Sequence, residues 1–332
     1  MRLRDVFVNF LRSRGISCIS TNSRKVLDED PIQYIARKFA SGEFRIREGE
    51  GRYRFDLSGN AVESCSYVAW RFDDGISAEE IGSELEKFPY IVVDCSLKDI
   101  HTEKELKSLV NQIQKTLSVV RRYMWDERLV IAGMKVRVSA PQYPSVEDFL
   151  REKQPERVIL LDPNAEEVFS GEVADCYIVG GIVDKVGNKA GTTEIIYRRL
   201  VENGFEVERR KILLRGDVVG VPDRINHITE IVLKAVLDGI DVERAIYEVQ
   251  NRKIARWRLR REIARNCRRV MVGDRKFRVI EKSFFESVKG WLNVIEEDFY
   301  RCARDMGVIV IDDSFTPPKS LKVTSEENVN HG

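Results

Sequence analysis

The sequence predicts an α/β protein in which a parallel sheet is flanked by small α+β domains on its N- and C-terminal sides. Between residue 87 and about residue 240, short β-branched runs alternate with helical patterns, the signature of βα units on a parallel sheet. On either side of that stretch the elements are shorter and mixed. The length, 332 residues, exceeds what one hydrophobic core holds, so two or three domains are expected.

Residues 1–86 form the first predicted domain. Val6, Phe7, Phe10 and Leu11 recur at helical spacing, and Pro31 opens a second helix running through Ala40. The segments from Phe44 and from Arg52 alternate as strands around Glu48-Gly49-Glu50-Gly51, which predicts a hairpin. Basic and aromatic residues interleave here: Arg37, Phe39, Arg45, Arg47, Arg52, Tyr53, Arg54. That mixture suits RNA, with charge for phosphates and rings for bases. It equally suits a solvated strand face above core aromatics.

In the central stretch, Tyr90–Asp94, Leu129–Ala132, Lys135–Val138, Val158–Leu161, Cys176–Val179 and Glu206–Ile212 read as strands. Helices are expected over Glu103–Tyr123, from Thr192 or Thr193 to a stop at Gly204, and from Arg224 to a stop at Gly239. The most distinctive segment follows Cys176: a buried strand ends on Gly180-Gly181, and Asp184 stands just beyond. Glycines without Cβ atoms let a ligand or another backbone approach. In open α/β sheets ligands bind at the carboxyl ends of strands.

Residues 241–269 read as one charged helix that closes the central domain, crowded with Arg252, Lys253, Arg256, Arg258, Arg260, Arg261 and Arg265 around Trp257. Like charges this dense imply a polyanionic partner, with a solvated linker helix as the alternative. Residues 270–315 predict a third small domain: a hairpin around Gly273-Asp274, one amphipathic helix marked by Phe284, Val288, Trp291, Leu292, Ile295 and Phe299, and a strand at Val308–Ile311. From residue 316 the polar composition predicts a disordered tail.

Composition narrows the chemistry. Net charge is +1, no run approaches the length of a membrane span, and no apolar leader opens the chain. The six cysteines are scattered without a CxxC pair, so neither a zinc site nor a disulfide framework is expected, and a reducing cytoplasm is the simplest compartment. Dense charge of both signs suits ion-pair networks. GxGxxG after a strand, GxxxxGKS/T, HExxH and GxSxG are all missing, and three histidines (His101, His227, His331) make a histidine-based triad or metal cluster a poor candidate.

A set of motifs then carries a resemblance. Asp94-Cys95-Ser96-Leu97, Lys107 to Gln112, Ser118 to Arg122, Leu160-Leu161-Asp162-Pro163-Asn164-Ala165, Tyr177 to Lys185, and Asn226 before Glu230 occur in one order. Over residues 88–238 the chain resembles the tRNA purine-9 N1-methyltransferases of the SPOUT superfamily, in the archaeal layout with an extra C-terminal domain. It departs from that pattern at Val120, Arg210-Lys211-Ile212 and Arg224-Ile225-Asn226-His227. The resemblance implies a trefoil-knotted parallel sheet, S-adenosylmethionine as cofactor, tRNA as partner, no metal and a monomer. A SPOUT enzyme acting on ribosomal RNA, or a non-catalytic tRNA-binding protein, stays open beside it.

By the same resemblance, the cofactor loops are Leu160-Leu161, Gly180-Gly181 with Asp184, Arg210 to Ile212, Val221-Pro222-Asp223 and Asn226. Asp184 is the expected general base or orienting group, with Asp94 and Gln112 helping to orient it or the base. Arg37, Arg45, Arg47, Arg52, Arg54, Arg121, Arg122, Arg252, Lys253, Arg256, Arg260 and Arg261 are the expected RNA contacts. Cys95 and Cys176 are expected to be buried hydrophobes, and His227 structural.

Overall fold

A computed structural model describes residues 1–183, 191–216, 224–272 and 274–314. The chain divides into two compact units: residues 1–213 with 221–242, and residues 214–220 with 243–332.

The first unit begins with α1 (Leu3–Ser13), β1 (Cys18–Thr21), α2 (Pro31–Ala40), β2 (Arg45–Glu48), β3 (Tyr53–Asp56) and β4 (Tyr67–Trp70). Pro31 occupies the first turn of α2, and Asp30 accepts from Gln33 N at 2.8 Å. The two helices bury Phe7 against Phe39, ring centroids 5.3 Å apart. The sheet order is β2-β4-β1-β3. The expected hairpin is therefore a correction: β2 pairs with β4 and β3 with β1, both antiparallel, and not with each other. Strand β1 escapes a period-2 reading because its polar Ser20 and Thr21 are fully buried; Ser20 Oγ donates to Tyr67 O at 2.7 Å.

Cys18 and Cys65 form a disulfide, where the scattered cysteines suggest no disulfide framework. The bond does not by itself set the compartment, because intracellular proteins of hyperthermophiles also carry disulfides.

α3 (Gly82–Glu86) leads into β5 (Tyr90–Asp94), α4 (Glu103–Tyr123), β6 (Leu129–Ala132), β7 (Gln142–Tyr143), α5 (Val146–Lys153), β8 (Val158–Leu161), β9 (Cys176–Gly180), α6 (Thr192–Glu202), β10 (Glu208–Arg210) and α7 (Ile225–Asp238). The strands form one parallel sheet in the order β10-β8-β9-β5-β6-β7. The run Lys135–Val138, read as a strand, is irregular, and Gln142–Tyr143 takes the edge position instead. Val92, Val130, Leu160, Cys176 and Ile178 fill the sheet core with Phe149 and Leu200, and each large apolar side chain buried there contributes about 1.5–3 kcal/mol.

Helix α4 follows its capping box, with Thr102 Oγ1 and Glu105 bonding reciprocally. It packs on α2 and α7, and Gln33 Nε2 donates to Arg121 O at 2.8 Å and Met124 O at 3.2 Å. α7 stops at Gly239, in the left-handed conformation that a β-carbon disfavours.

The second unit holds α8 (Val242–Val249), α9 (Arg252–Asn266), β11 (Arg268–Val272), β12 (Arg275–Glu281), α10 (Phe284–Val288), α11 (Glu296–Asp305) and β13 (Val308–Ile311). The single charged helix read over 241–269 is two helices, with Asn251 capping α9 by accepting from Ile254 N at 3.0 Å. α9 packs in this unit: Ala255, Leu259 and Ile263 lie against Phe299, Cys302 and Ala303. The amphipathic helix expected over 284–299 is likewise two short helices, with Ile295 at the cap of α11 and 47% exposed. Among the described residues no helix is long and apolar enough to cross a membrane, and no cluster of metal-ligating side chains occurs.

Candidate active site

Register defines the site. Arg210, Leu161, Val179 and Val93 form one row across β10, β8, β9 and β5, and Gly180 pairs with Asp94 one row further on. The parallel strands thus bring the Leu160-Leu161, Gly180-Gly181, Asp94 and Arg210-Lys211-Ile212 segments to one carboxyl edge. Gly181 N donates to Asp94 O at 2.7 Å. A Cβ on Gly181 would meet that oxygen at 2.7 Å and Cys95 Sγ at 2.9 Å, so glycine is required by backbone contact. Gly133 faces the same turn at φ +81°, where a Cβ would lie 2.7 Å from Ser96 N.

Two aspartates close these strands by one device. Asp94 Oδ1 accepts from Ser96 N at 2.8 Å, and Asp162 Oδ1 accepts from Asn164 N at 2.9 Å, each stabilising its own turn. The second oxygen of each takes an arginine. Arg199 Nη2 reaches Asp94 Oδ2 at 2.6 Å and its Nε reaches Glu147 at 2.6 Å; Arg209 Nε reaches Asp162 Oδ2 at 2.9 Å and its Nη2 also pairs with Glu194. Both aspartates are 1% exposed. Burial pulls the Arg199 guanidinium down, but Asp94 and then Glu147 overcome it and raise the guanidinium above its ordinary value. Arg199 and Glu194 both sit on α6, so that helix holds both strand ends. The structure therefore commits the Asp94 carboxylate, expected to orient the base, to a turn and an ion pair.

Gln112, the other expected orienting residue, is buried and its Oε1 accepts from Ile225 N at 3.0 Å. It satisfies a donor at the first turn of α7, where backbone N–H groups have no partner inside the helix. Next to it, Asn226 Oδ1 and Thr229 Oγ1 are buried without a hydrogen-bond partner among the described residues. An orphaned acceptor of this kind costs free energy unless a donor reaches it, so Asn226 fits a ligand bearing an N–H group. Leu160 and Ile212 are buried apolar walls, and Leu161 is 7% exposed.

Arg210, expected at the cofactor, is held by Glu167, Glu172 and Glu208 at 2.7, 3.3 and 2.6 Å. Burial pushes the Cys95 thiol up to about 12, with Asp94 adding to the effect, so it is no nucleophile at neutral pH. Asp184, Val221, Pro222 and Asp223 lie outside the described residues.

Among the expected RNA contacts, Arg37 is a correction. It is 6% exposed and held by Glu29 and Asp126, the latter at 3.5 Å. Arg121 pairs with Asp126 and Arg122 with Glu230, at 2.6 and 2.9 Å. Arg47 is exposed, 3.6 Å above the Phe72 ring; Arg52 is exposed, 5.4 Å from the Tyr53 ring; Arg45 and Arg54 are half-buried, Arg54 donating to Glu63 O at 2.8 Å.

The charge of the basic block of α9 is partly compensated from within. Asp298 takes Arg252 at 3.0 Å and Arg256 at 2.6 Å, and Asp305 takes Arg260 at 3.1 Å. Burial alone would raise the Asp298 carboxyl, but Arg252, the Ile295 N–H and Arg256 hold it below the usual carboxylate range. Lys253, Trp257 and Arg261 fall at i, i+4 and i+8 on the face opposite Ala255, Leu259 and Ile263. All three are exposed, and the Arg261 guanidinium lies 5.7 Å from the Trp257 ring.

Two residues of the site had little signal in the sequence. Arg199 sits in an ordinary amphipathic helix, and its partners lie 52 and 105 residues away. His101 follows shortly after the Asp94-Cys95-Ser96 motif, but nothing there announces the segment it bonds.

Family models cover nearly the whole chain. Residues 4–81 match the N domain of the tRNA (guanine(9)-/adenine(9)-N1)-methyltransferases, residues 77–254 match the tRNA (guanine(9)-N(1))-methyltransferase TRM10/TRM10A, and residues 256–316 match the C domain of the former. The chain is 36% identical to the tRNA (guanine(9)-/adenine(9)-N1)-methyltransferase of Thermococcus kodakarensis, covering 93% of this chain and 90% of the relative. It is 31% identical to the tRNA (adenine(9)-N1)-methyltransferase of Sulfolobus acidocaldarius, covering 77% and 87%. Among solved structures, a dual-specific Trm10 from Thermococcus kodakaraensis superposes with a TM-score of 0.59 at 27% identity over 73% of this chain and 98% of that one. Sulfolobus acidocaldarius Trm10 in complex with S-adenosylhomocysteine shares the fold with a TM-score of 0.66 at 23% identity over 92% and 100%. The domain matches in chain order, the identity along almost the full length and the shared parallel-sheet fold together show that this chain belongs to the tRNA (guanine(9)-/adenine(9)-N1)-methyltransferase family.

Proposed function

We propose that the chain methylates N1 of the purine at position 9 of tRNA, with S-adenosylmethionine bound at the carboxyl edge of β8, β9 and β10. The observation that carries this reading is the match to all three domains of the family in order, joined to a buried acceptor, Asn226 Oδ1, that awaits a donor. Leu160, Leu161, Gly180, Gly181, Ile212 and Asn226 are the described residues that would hold the cofactor. The trefoil knot belongs to the same reading, and the packing of α7 against α4 and β9 is in keeping with it. So do a monomeric state and a cytoplasmic setting.

When bound, S-adenosylmethionine supplies an electrophilic methyl group. The chain's own part is alignment and proton handling. N1 lies on the Watson–Crick edge, so the purine must leave the stack to meet the pocket. For guanine the N1 proton has to go, and Asp184 takes it as general base. For adenine N1 already offers a lone pair, and Asp184 orients the base or offsets the charge of the product. Asp94 and Gln112 act at one remove, through the β5 turn and the start of α7.

The direct test incubates the protein with labelled methyl donor and unmodified tRNAs bearing A, G or U at position 9, followed by nucleoside analysis. Methyl label at N1 of A9 or G9 with none on U9 is expected. No transfer to any of them, with ribosomal RNA labelled instead, overturns the reading.

tRNA docking falls to the exposed Lys253, Trp257 and Arg261 stripe together with Arg47 and Arg52. Lys253→Glu combined with Arg261→Glu should weaken tRNA binding and reduce the slope of log affinity against log salt by about 1 to 2. The measurement is a salt titration of tRNA binding; an unchanged slope excludes this face. Arg256→Glu is a poorer probe, because it would face Asp298.

A further inference from the structure

We infer that His101 is a positioning residue that fixes the backbone between the glycine pair and Asp184. Val183 N donates to His101 Nε2 at 2.9 Å in a buried setting, across 82 residues of sequence. His101 Nδ1 lies 3.1 Å from Lys98 O. Because Nε2 accepts, the ring carries its proton on Nδ1 and donates it to that carbonyl. The residue is 9% exposed.

The Cys95–His101 turn is itself tied on both sides. Cys95 N donates to Ala132 O at 2.8 Å, and Lys98 Nζ donates to Gly133 O at 2.8 Å, so the end of β6 holds it. Asp94 O and His101 Nε2 then hold Gly181 N and Val183 N. The chain leaving β9 is thus pinned at alternate residues by the turn leaving β5. Val183 is joined by its peptide bond to Asp184, so the last described backbone atoms before that carboxylate are set by the histidine. Loss of the acceptor leaves a buried N–H without its partner and frees the segment to shift. A misplacement on the order of 1 Å at a reacting group costs up to about 100-fold in rate.

This inference rests on the reading that Asp184 meets the purine, and the test separates the two. His101→Phe keeps the ring volume and removes the acceptor. His101→Gln places Oε1 near the position of Nε2 and restores it. In His101→Phe the single-turnover rate of guanine methylation is expected to fall by about 10- to 100-fold, with tRNA affinity within about twofold of wild type. His101→Gln should recover to within about threefold of wild type. Amide hydrogen exchange at Val183 should quicken in His101→Phe and return to near wild type in His101→Gln. The double variant His101→Phe with Asp184→Asn should be no slower than Asp184→Asn alone, because residues acting through one group are non-additive. A wild-type rate in His101→Phe, or equal loss in the Phe and Gln variants, overturns the positioning role. Unchanged exchange at Val183 overturns it as well. Full activity of Asp184→Asn overturns the role of Asp184 instead, and the exchange data still report on the histidine.

Discussion

Gly181→Ala is expected to lower the melting temperature by about 5–10 °C and to abolish measurable S-adenosylhomocysteine binding in calorimetry. The added Cβ would sit 2.7 Å from Asp94 O, the atom that Gly181 N already bonds, and 2.9 Å from Cys95 Sγ. These neighbours cannot swing aside as a flexible side-chain tip could. Asp94 is held by the parallel pairing of β5 with β9 and by its turn and Arg199. Relief therefore requires the two strand ends to separate, which loses the 2.7 Å backbone bond and repacks fully buried Cys95. Overpacking and one lost backbone bond together cost about 2–4 kcal/mol. Gly180→Ala is the control for stability alone, since Gly180 also belongs to the proposed cofactor edge: its Cβ would meet Ile182 Cδ1 at 3.1 Å, the movable end of a side chain. A melting temperature of Gly181→Ala no lower than that of Gly180→Ala overturns the steric role of the close approach.

Asp184→Asn is expected to slow guanine-9 methylation by about 10²- to 10⁴-fold, the range that general bases supply. Adenine-9 methylation should fall by no more than about tenfold, because its N1 carries no proton to remove. The carboxamide keeps the size and one acceptor oxygen of the carboxylate but loses its charge and basicity. Rates at saturating donor on the two tRNAs, compared in single turnover, measure the difference. Equal losses on both purines would make Asp184 an orienting group and not a base. Full guanine methylation would remove it from the chemistry.

The elements that carry the site were legible because their signals are local. α4 runs from Glu103 to Tyr123 as its apolar spacing dictates, α2 begins at its proline, and β8 is the unbroken apolar run Val158–Leu161. The glycine pair announces a close approach, and the approach exists, although the partner it meets is the protein's own β5 turn. The motif order also sufficed to name the family.

What failed was pairing at a distance. The segments at Arg45 and Tyr53 read as a hairpin because they are adjacent, yet each pairs with a strand that the sequence hid. The arginines of α9 read as uncompensated because Asp298 and Asp305 lie 42 to 46 residues on. Arg37 read as a surface cation although two carboxylates bury it. The scattered cysteines concealed a bridge across 47 residues.

By itself, then, the sequence determined α1, α2, α4, α6 and α7, most strands of the parallel sheet and the family, since periodicity, caps and motifs act within a few residues of the chain. Tertiary structure alone decided which charges are spent on internal ion pairs and which face solvent. It also decided that Asp94 and Asp162 secure turns, that Asn226 Oδ1 is buried without a partner among the described residues, and that His101 holds Val183. Those outcomes depend on which side chains the crossovers of a parallel sheet bring to one edge, and such proximity leaves no periodic trace in the sequence.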